Sequence, residues 1–375
     1  MARADWFDVL ILGAGPAGAA AAAAAARAGL RTVVCDRGPA PASGPRLEWL
    51  NPAAPPLIDQ VGVTLSDAGV ATLDRVKFID VAGRLETRVP LEEPVVLVDV
   101  TRLTDGFLQA ARSAGAECNL SVPVTRIETH EDHVVLRDAG DGRWASRLLL
   151  LADGADASLE RDPRLKMDVP ASGLAACCER MAVARSVRRR KVDRHVELSI
   201  ILNAREPTSY GFAYAFKGVE AVGLVVSAAT QEAAGEFDRR VRRWADAGIR
   251  PAANETMDTV RVRAIPRGVA LERETHVGKH ALLIGDAGGF VPALSHDGLY
   301  AAIRSARIAV EVCAAALTAP QSQDVLAEYD VRWRRELVDT LRLPNSDLRF
   351  LIPIVFSHGV MASRMARAFV AGENI

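Results

Sequence analysis

DVLILGAGPAGAAAAAAAARAGLRTVVCDR, residues 8–37, decides the fold. It predicts an apolar strand over Val9–Leu12, then Gly13-x-Gly15-x-x-Gly18, an alanine-rich helix, a second strand over Thr32–Cys35, and Asp36. Gly13 permits a tight strand-to-helix turn, Gly15 lets a pyrophosphate approach the backbone, and Gly18 lets the helix lie close on the strand. Pro16 and Ala17 complete the first turn, whose unpaired N–H groups and positive dipole end suit phosphate. Asp36, 21 residues after Gly15, is spaced to accept hydrogen bonds from a ribose diol. The order of strand, glycines, helix and acid predicts a Rossmann-like dinucleotide-binding unit.

Two later segments narrow the dinucleotide. Leu148–Ser158, LLLLADGADAS, is an apolar run ending in Asp153-Gly154. His280–Glu311 reads as a strand, Gly285-Asp286, a Gly/Pro-rich loop and a long Ala/Ile helix. With these three motifs in order, the chain resembles the FAD-dependent superfamily of aromatic-ring hydroxylases, geranylgeranyl reductases and flavin-dependent halogenases. The resemblance covers roughly residues 5–315. It implies FAD as cofactor, with Asp286 on the ribitol chain. It sets the loop from Gly288 to Gly298, with Pro292, Asp297, Gly298 and Leu299, against the pyrophosphate and pyrimidine. It also implies contacts from Arg37, Arg46, Arg102 and Val124. A helix cap for Asp286 and a solvated loop for Arg46 are the bland alternatives. The family's serine follows its Asp by four residues; Ser158 follows Asp153 by five, a one-residue insertion that shifts Ser158 and Arg161 off the family's spacing.

Composition sets bounds. The chain has 375 residues, 49% of them hydrophobic, and a formal net charge of −1. That is enough for two domains and gives no electrostatic case for nucleic acid. The five cysteines form no CxxC pair, which points to a reducing compartment and no metal site. A cytoplasmic protein without a signal peptide or transmembrane segment is the expectation. Residues 1–78, 97–165 and 270–318 should form a discontinuous FAD-binding domain. Residues 79–96 and 166–269 should form an antiparallel β-sheet substrate domain, and 319–375 a helical C-terminal segment. The fold class is therefore α/β. LIPIVFSHGVMASRMARAFVAG, near the end, is apolar but broken by Pro353 and Gly359, and suits packing on the body or a peripheral contact.

On the substrate side, SYGFAYAFKG places Tyr210, Phe212, Tyr214 and Phe216 on one face of a strand. The stripe is either core or a wall of the ligand pocket. Geranylgeranyl reductases carry YxWxFP here, whose Trp and Pro this chain lacks. It also lacks the halogenase WxWxIP, so halogenation is not expected. His296 stands where it would donate to anionic flavin or move a proton, or else face solvent from a capping loop. The basic run RSVRRRKVDR, 185–194, reads as a solvated loop or a docking site for an acidic partner or a nicotinamide phosphate. The leading expectation is an FAD monooxygenase working through a flavin C4a-hydroperoxide on an aromatic or apolar small molecule or a protein side chain. The alternative is a double-bond reductase of the geranylgeranyl reductase type. NAD(P)H or a separate reductase would supply electrons, since a second Gly-x-Gly-x-x-Gly is absent.

Overall fold

The computed structural model describes residues 6–39, 46–155, 174–183, 195–216, 219–226, 230–247 and 261–375. Ser158, Arg161 and the basic run lie outside them. The first part of the chain runs β1 (Trp6–Leu12), α1 (Pro16–Arg27), β2 (Thr32–Cys35), β3 (Leu47–Leu50), α2 (Pro55–Gln60), α3 (Leu65–Ala68), β4 (Gly69–Asp80), β5 (Glu86–Asp99) and α4 (Val100–Ser113). Then come β6 (Glu117–Asn119), β7 (Val124–Thr129), β8 (Val134–Asp138), β9 (Arg143–Leu151), β10 (Leu174–Val183), β11 (His195–Leu202), β12 (Tyr210–Phe216) and β13 (Val219–Val226). The last part holds α5 (Thr230–Asp246), β14 (Arg261–Pro266), α6 (Val269–Glu272), β15 (Val277–Gly278), β16 (Ala281–Leu283) and the C-terminal helices α7 (Leu299–Thr318), α8 (Ser322–Leu341), α9 (Leu348–Val355) and α10 (Gly359–Ala371).

Two sheets organise these elements. In the first, β16-β9-β1-β2-β6 pair in parallel. Its central strands, β16, β9, β1 and β2, carry apolar runs buried on both faces. Val9 and Ile11 point to α1, α4 and α7, while Leu10 and Leu12 point to the β7–β8 hairpin. The alanines of α1 make this possible: their small side chains let the helix lie between α4 and α7 with nearly every residue buried.

The second sheet runs β14-β10-β13-β12-β11-β4-β5-β3. It is antiparallel except where β11 lies parallel to β4. It takes in β3 and β4, although residues 1–78 read from the sequence as one segment of the nucleotide-binding unit. Trp244 of α5 covers one face beside Ile201 and Leu224. The other face, with Trp49, Phe78 and Tyr210, packs against α9 and α10. Trp49 Nε1 donates to the Phe369 carbonyl at 3.2 Å, and Asn51 Nδ2 donates to the Ala371 carbonyl at 2.6 Å. The fold is thus α/β, with a Rossmann-like unit, a largely antiparallel second sheet and a helical C-terminal segment. Among the described residues no helix is long and apolar enough to cross a membrane.

Candidate active site

The glycines build the first half of the site. Gly13 has φ +102°, and a Cβ there would run into the Ala152 carbonyl of the loop after β9. A Cβ on Gly18 would run into the Gly13 carbonyl. These two glycines bring the β1–α1 turn and the Asp153-Gly154 loop together. Gly15 differs: a Cβ there meets nothing within 4 Å, because the residue faces an open cleft. Asp36 is already engaged, accepting from Ala14 N–H at 2.5 Å and Gly38 N–H at 2.7 Å. Its carboxylate therefore braces the glycine loop, a task the spacing alone did not reveal. Val124 is buried at the start of β7, and the neighbouring Val122 N–H donates to the Asp36 carbonyl at 2.8 Å.

The cleft has a volume of about 190 Å³. Gly15, Pro16, Ala17, Arg46 and Gly154 line one part of it, and Asp286, His296, Gly298 and Leu299 another. The N-termini of α1, at Gly15, and α7, at Gly298, thus share it. Two helix ends beside the cations of Arg46 and Arg263 suit a pyrophosphate. Asp286 sits in the short turn Gly285–Gly288, where burial raises its carboxyl above the usual range against the pull of Arg263 and Arg46. A carboxyl there has the chemistry to meet ribitol hydroxyls. The residues present therefore fit FAD. A support missed by the sequence is His276, buried behind the turn with Nε2 on the Gly288 carbonyl at 2.8 Å. Arg37 and Arg102 are exposed, and Arg102 lies 3.7 Å from Asp99; neither borders this cleft.

A second cavity adjoins the first, sharing His296 and Arg263 with it. Leu47, Trp49, Phe212, Val225 and Ile265 give it apolar walls, with Tyr210 and Cys177 among them. Its volume is about 30 Å³, room for roughly two waters. Two members of the aromatic stripe, Tyr210 and Phe212, thus face it. Tyr214 is buried, with its hydroxyl on the Leu47 carbonyl at 3.2 Å, and the side chain of Phe216 lies outside the described residues. Gly223, paired with Phe212 across β12 and β13, leaves the space in which the Phe212 ring lies. Gly223→Val should drive that ring into the cavity. We expect substrate turnover to fall at least tenfold while the flavin absorbance per chain stays constant.

Five ionisable groups, Arg46, Glu48, Arg263, His296 and Asp297, meet where the cavities join. Glu48 of β3 accepts from Arg46 Nε at 2.7 Å and from Arg263 of β14 at 3.0 Å. Burial pushes the Glu48 carboxyl up, but the two guanidinium groups outweigh it and hold it below the ordinary value. Asp297 has no such cation in contact among the described residues. Burial, reinforced by the charge of Glu48, pushes its carboxyl up to about 8. His296 is 4% exposed, sits at φ +56°, and has no hydrogen-bond partner for either ring nitrogen among the described residues. Burial and the charges of Arg267 and Arg263 push it down to about 3. The burial corrects one sequence alternative for the loop, a solvent-facing His296; it opposes a charge on the imidazole and raises the carboxyl of Asp297, read from sequence as a cofactor contact.

The sequence profile of the FAD binding domain family matches residues 7–340. The chain is 26% identical over 370 residues to digeranylgeranylglycerophospholipid reductase 1 of Methanopyrus kandleri, covering 94% of each. Among solved structures it resembles a geranylgeranyl bacteriochlorophyll reductase-like protein from Thermoplasma acidophilum, with TM-score 0.72 and 17% identity over 97% of this chain and 96% of that one. It resembles p-nitrophenol 4-monooxygenase from Pseudomonas putida with TM-score 0.70 and 15% identity over 99% of this chain and 100% of the other. At these identities the structural likenesses speak for the fold alone.

Proposed function

The chain belongs to the FAD binding domain family and is an FAD-dependent oxidoreductase, and from that premise we propose that it reduces a carbon–carbon double bond in an apolar, prenyl-type chain. What supports this reading is the similarity over 94% of both chains to a digeranylgeranylglycerophospholipid reductase, together with the apolar side chains that line the small cavity beside the cofactor cleft, which would have to widen to admit a prenyl chain and which holds the carboxyl of Asp297. FAD, when bound and reduced, supplies hydride. Everything else falls to the chain. Arg46 and the two helix ends hold the pyrophosphate, Asp286 meets the ribitol, and Asp36 keeps the glycine loop in place. Trp49, Phe212, Val225 and Ile265 orient the substrate and exclude water. Reduction adds hydride to one carbon and a proton to the other, and Asp297 keeps that proton at neutral pH. Neutral His296 offers one N–H and one lone pair, so it orients groups in the cleft and carries no charge. NAD(P)H or a separate reductase restores the electrons.

Hydroxylation, the first expectation from sequence, would use the same cavity and the same proton. The similarity over 94% of both chains to a lipid reductase favours reduction. Oxygen separates the two. Anaerobic turnover of a prenyl double bond with dithionite-reduced protein is the expected result. Strict dependence on O2, with a hydroxylated product and no anaerobic turnover, would overturn it. His296→Ala should keep its FAD yet lose about tenfold in turnover. The wild-type rate should show no inflection between pH 5 and 7, because His296 titrates at about 3. A pH–rate profile checks both points.

A further inference from the structure

Helix α9, sequence LRFLIPIV, is apolar on both sides. Leu348, Leu351, Ile352 and Val355 face inward, into the same core as Trp49, Tyr210 and Phe212. Phe350 is 74% exposed, Ile354 40% and Val360, at the start of α10, 62%, with Pro353 exposed among them. A helix apolar all round is normally enclosed. Here the outer half faces solvent, and a run of exposed apolar side chains marks an interaction surface.

Charge indicates what covers it. Residues 348–372 contain Arg349, Arg364 and Arg367 and no Asp or Glu, in a chain whose net charge is −1. Arg349 has a 69% exposed side chain, with Asp347 at 3.4 Å. Arg364 is exposed one turn beyond Val360 on the same face of α10. Arg367 is held by Glu373 at 2.8 Å. An apolar ridge edged by arginines matches the headgroup and acyl boundary of an anionic bilayer. We infer that the α9–α10 corner docks this protein onto an anionic lipid surface, with Phe350, Ile354 and Val360 in the acyl boundary and Arg349 and Arg364 at the headgroups. The inner side of α9 packs into the core that also holds Trp49, Tyr210 and Phe212 of the cavity wall. The proposed function supplies the reason for docking, an apolar chain dissolved in the bilayer; docking itself needs no turnover.

The test is co-sedimentation of the FAD-loaded full chain with phosphatidylcholine vesicles, with and without phosphatidylglycerol. Wild type should bind the mixed vesicles and bind phosphatidylcholine alone more weakly. Phe350→Ser with Ile354→Ser should reduce partitioning to both at least about a hundredfold, since each side chain contributes about a tenfold factor or more. Arg349→Gln with Arg364→Gln should cost about fivefold per arginine on the mixed vesicles only, and weaken the salt dependence. All four positions are on the surface, and the flavin absorbance of each variant checks that it has folded. No wild-type sedimentation with either vesicle, or sedimentation untouched by both double variants, overturns the inference. So does a wild-type dimer in sedimentation velocity that the Phe350 and Ile354 changes dissociate, because a second copy would then cover the face. The assay measures binding alone, so a failed reductase assay leaves its result intact.

Discussion

Gly15→Val folds like the wild type and purifies without yellow colour. The new Cβ meets nothing within 4 Å, and the backbone, at φ −67° and ψ −177°, is one that a β-branched residue adopts freely. The branch projects into the cleft along the path of the pyrophosphate, at the N-terminus of α1. The expected loss is at least about a hundredfold in FAD affinity, or about 3 kcal/mol. The measurement is the ratio of 450 nm to 280 nm absorbance beside a thermal melt of the apo protein. Gly18→Ala is the contrast. Its Cβ runs into the Gly13 carbonyl, so it should lower the melting temperature of the apo protein as well as the flavin content. A yellow Gly15→Val protein would contradict the placement of the cofactor.

Asp297→Asn loses about a hundred- to a thousandfold in turnover with flavin content unchanged. In the proposed reduction the carboxyl is the proton source, so only its protonated form is competent. With its pKa pushed up to about 8, the wild-type rate is level through neutrality and falls as pH rises above that value. The side-chain amide of the variant keeps an oxygen for the Leu299 N–H, which Asp297 Oδ1 accepts at 3.3 Å, so the end of α7 stays in place. The variant's residual rate should be flat across the same range. Glu48→Gln removes the charge that helps raise Asp297, and the falling limb should move to lower pH. Equal rates and profiles for Asp297→Asn and wild type would remove Asp297 from the chemistry.

The nucleotide-binding half was legible because its requirements are local. Gly13, Gly15 and Gly18 report on one turn, and the alternation of Val9, Leu10, Ile11 and Leu12 reports on two buried faces. The joint between the cavities was not legible. Glu48 and Arg263 are 215 residues apart in sequence, and no local pattern links β3 to β14. The same holds for Cys177 and for the parallel pairing of β4 with β11. His296 was read as a group that could move a proton near the flavin or else face solvent. Its burial beside Arg263 and Arg267 is a tertiary fact, and it disfavours a charge on the imidazole. The aromatic stripe was half legible: period two put its residues on one face, and the partners of that face came from distant strands.

The hydrogen bond from Trp49 to the Phe369 carbonyl spans 320 residues, which bears on how the chain is made. At about 5–20 residues per second, a ribosome takes roughly 15–60 s to travel from one partner to the other. Every residue named in the cofactor cleft has been synthesised by residue 302. The helices that cover Trp49, Phe78 and Tyr210 begin only at Leu348. A nascent chain between those points carries a complete nucleotide cleft beside a bare apolar sheet face. Its yield in a cell then depends on what shields that face until the last helix is released to dock.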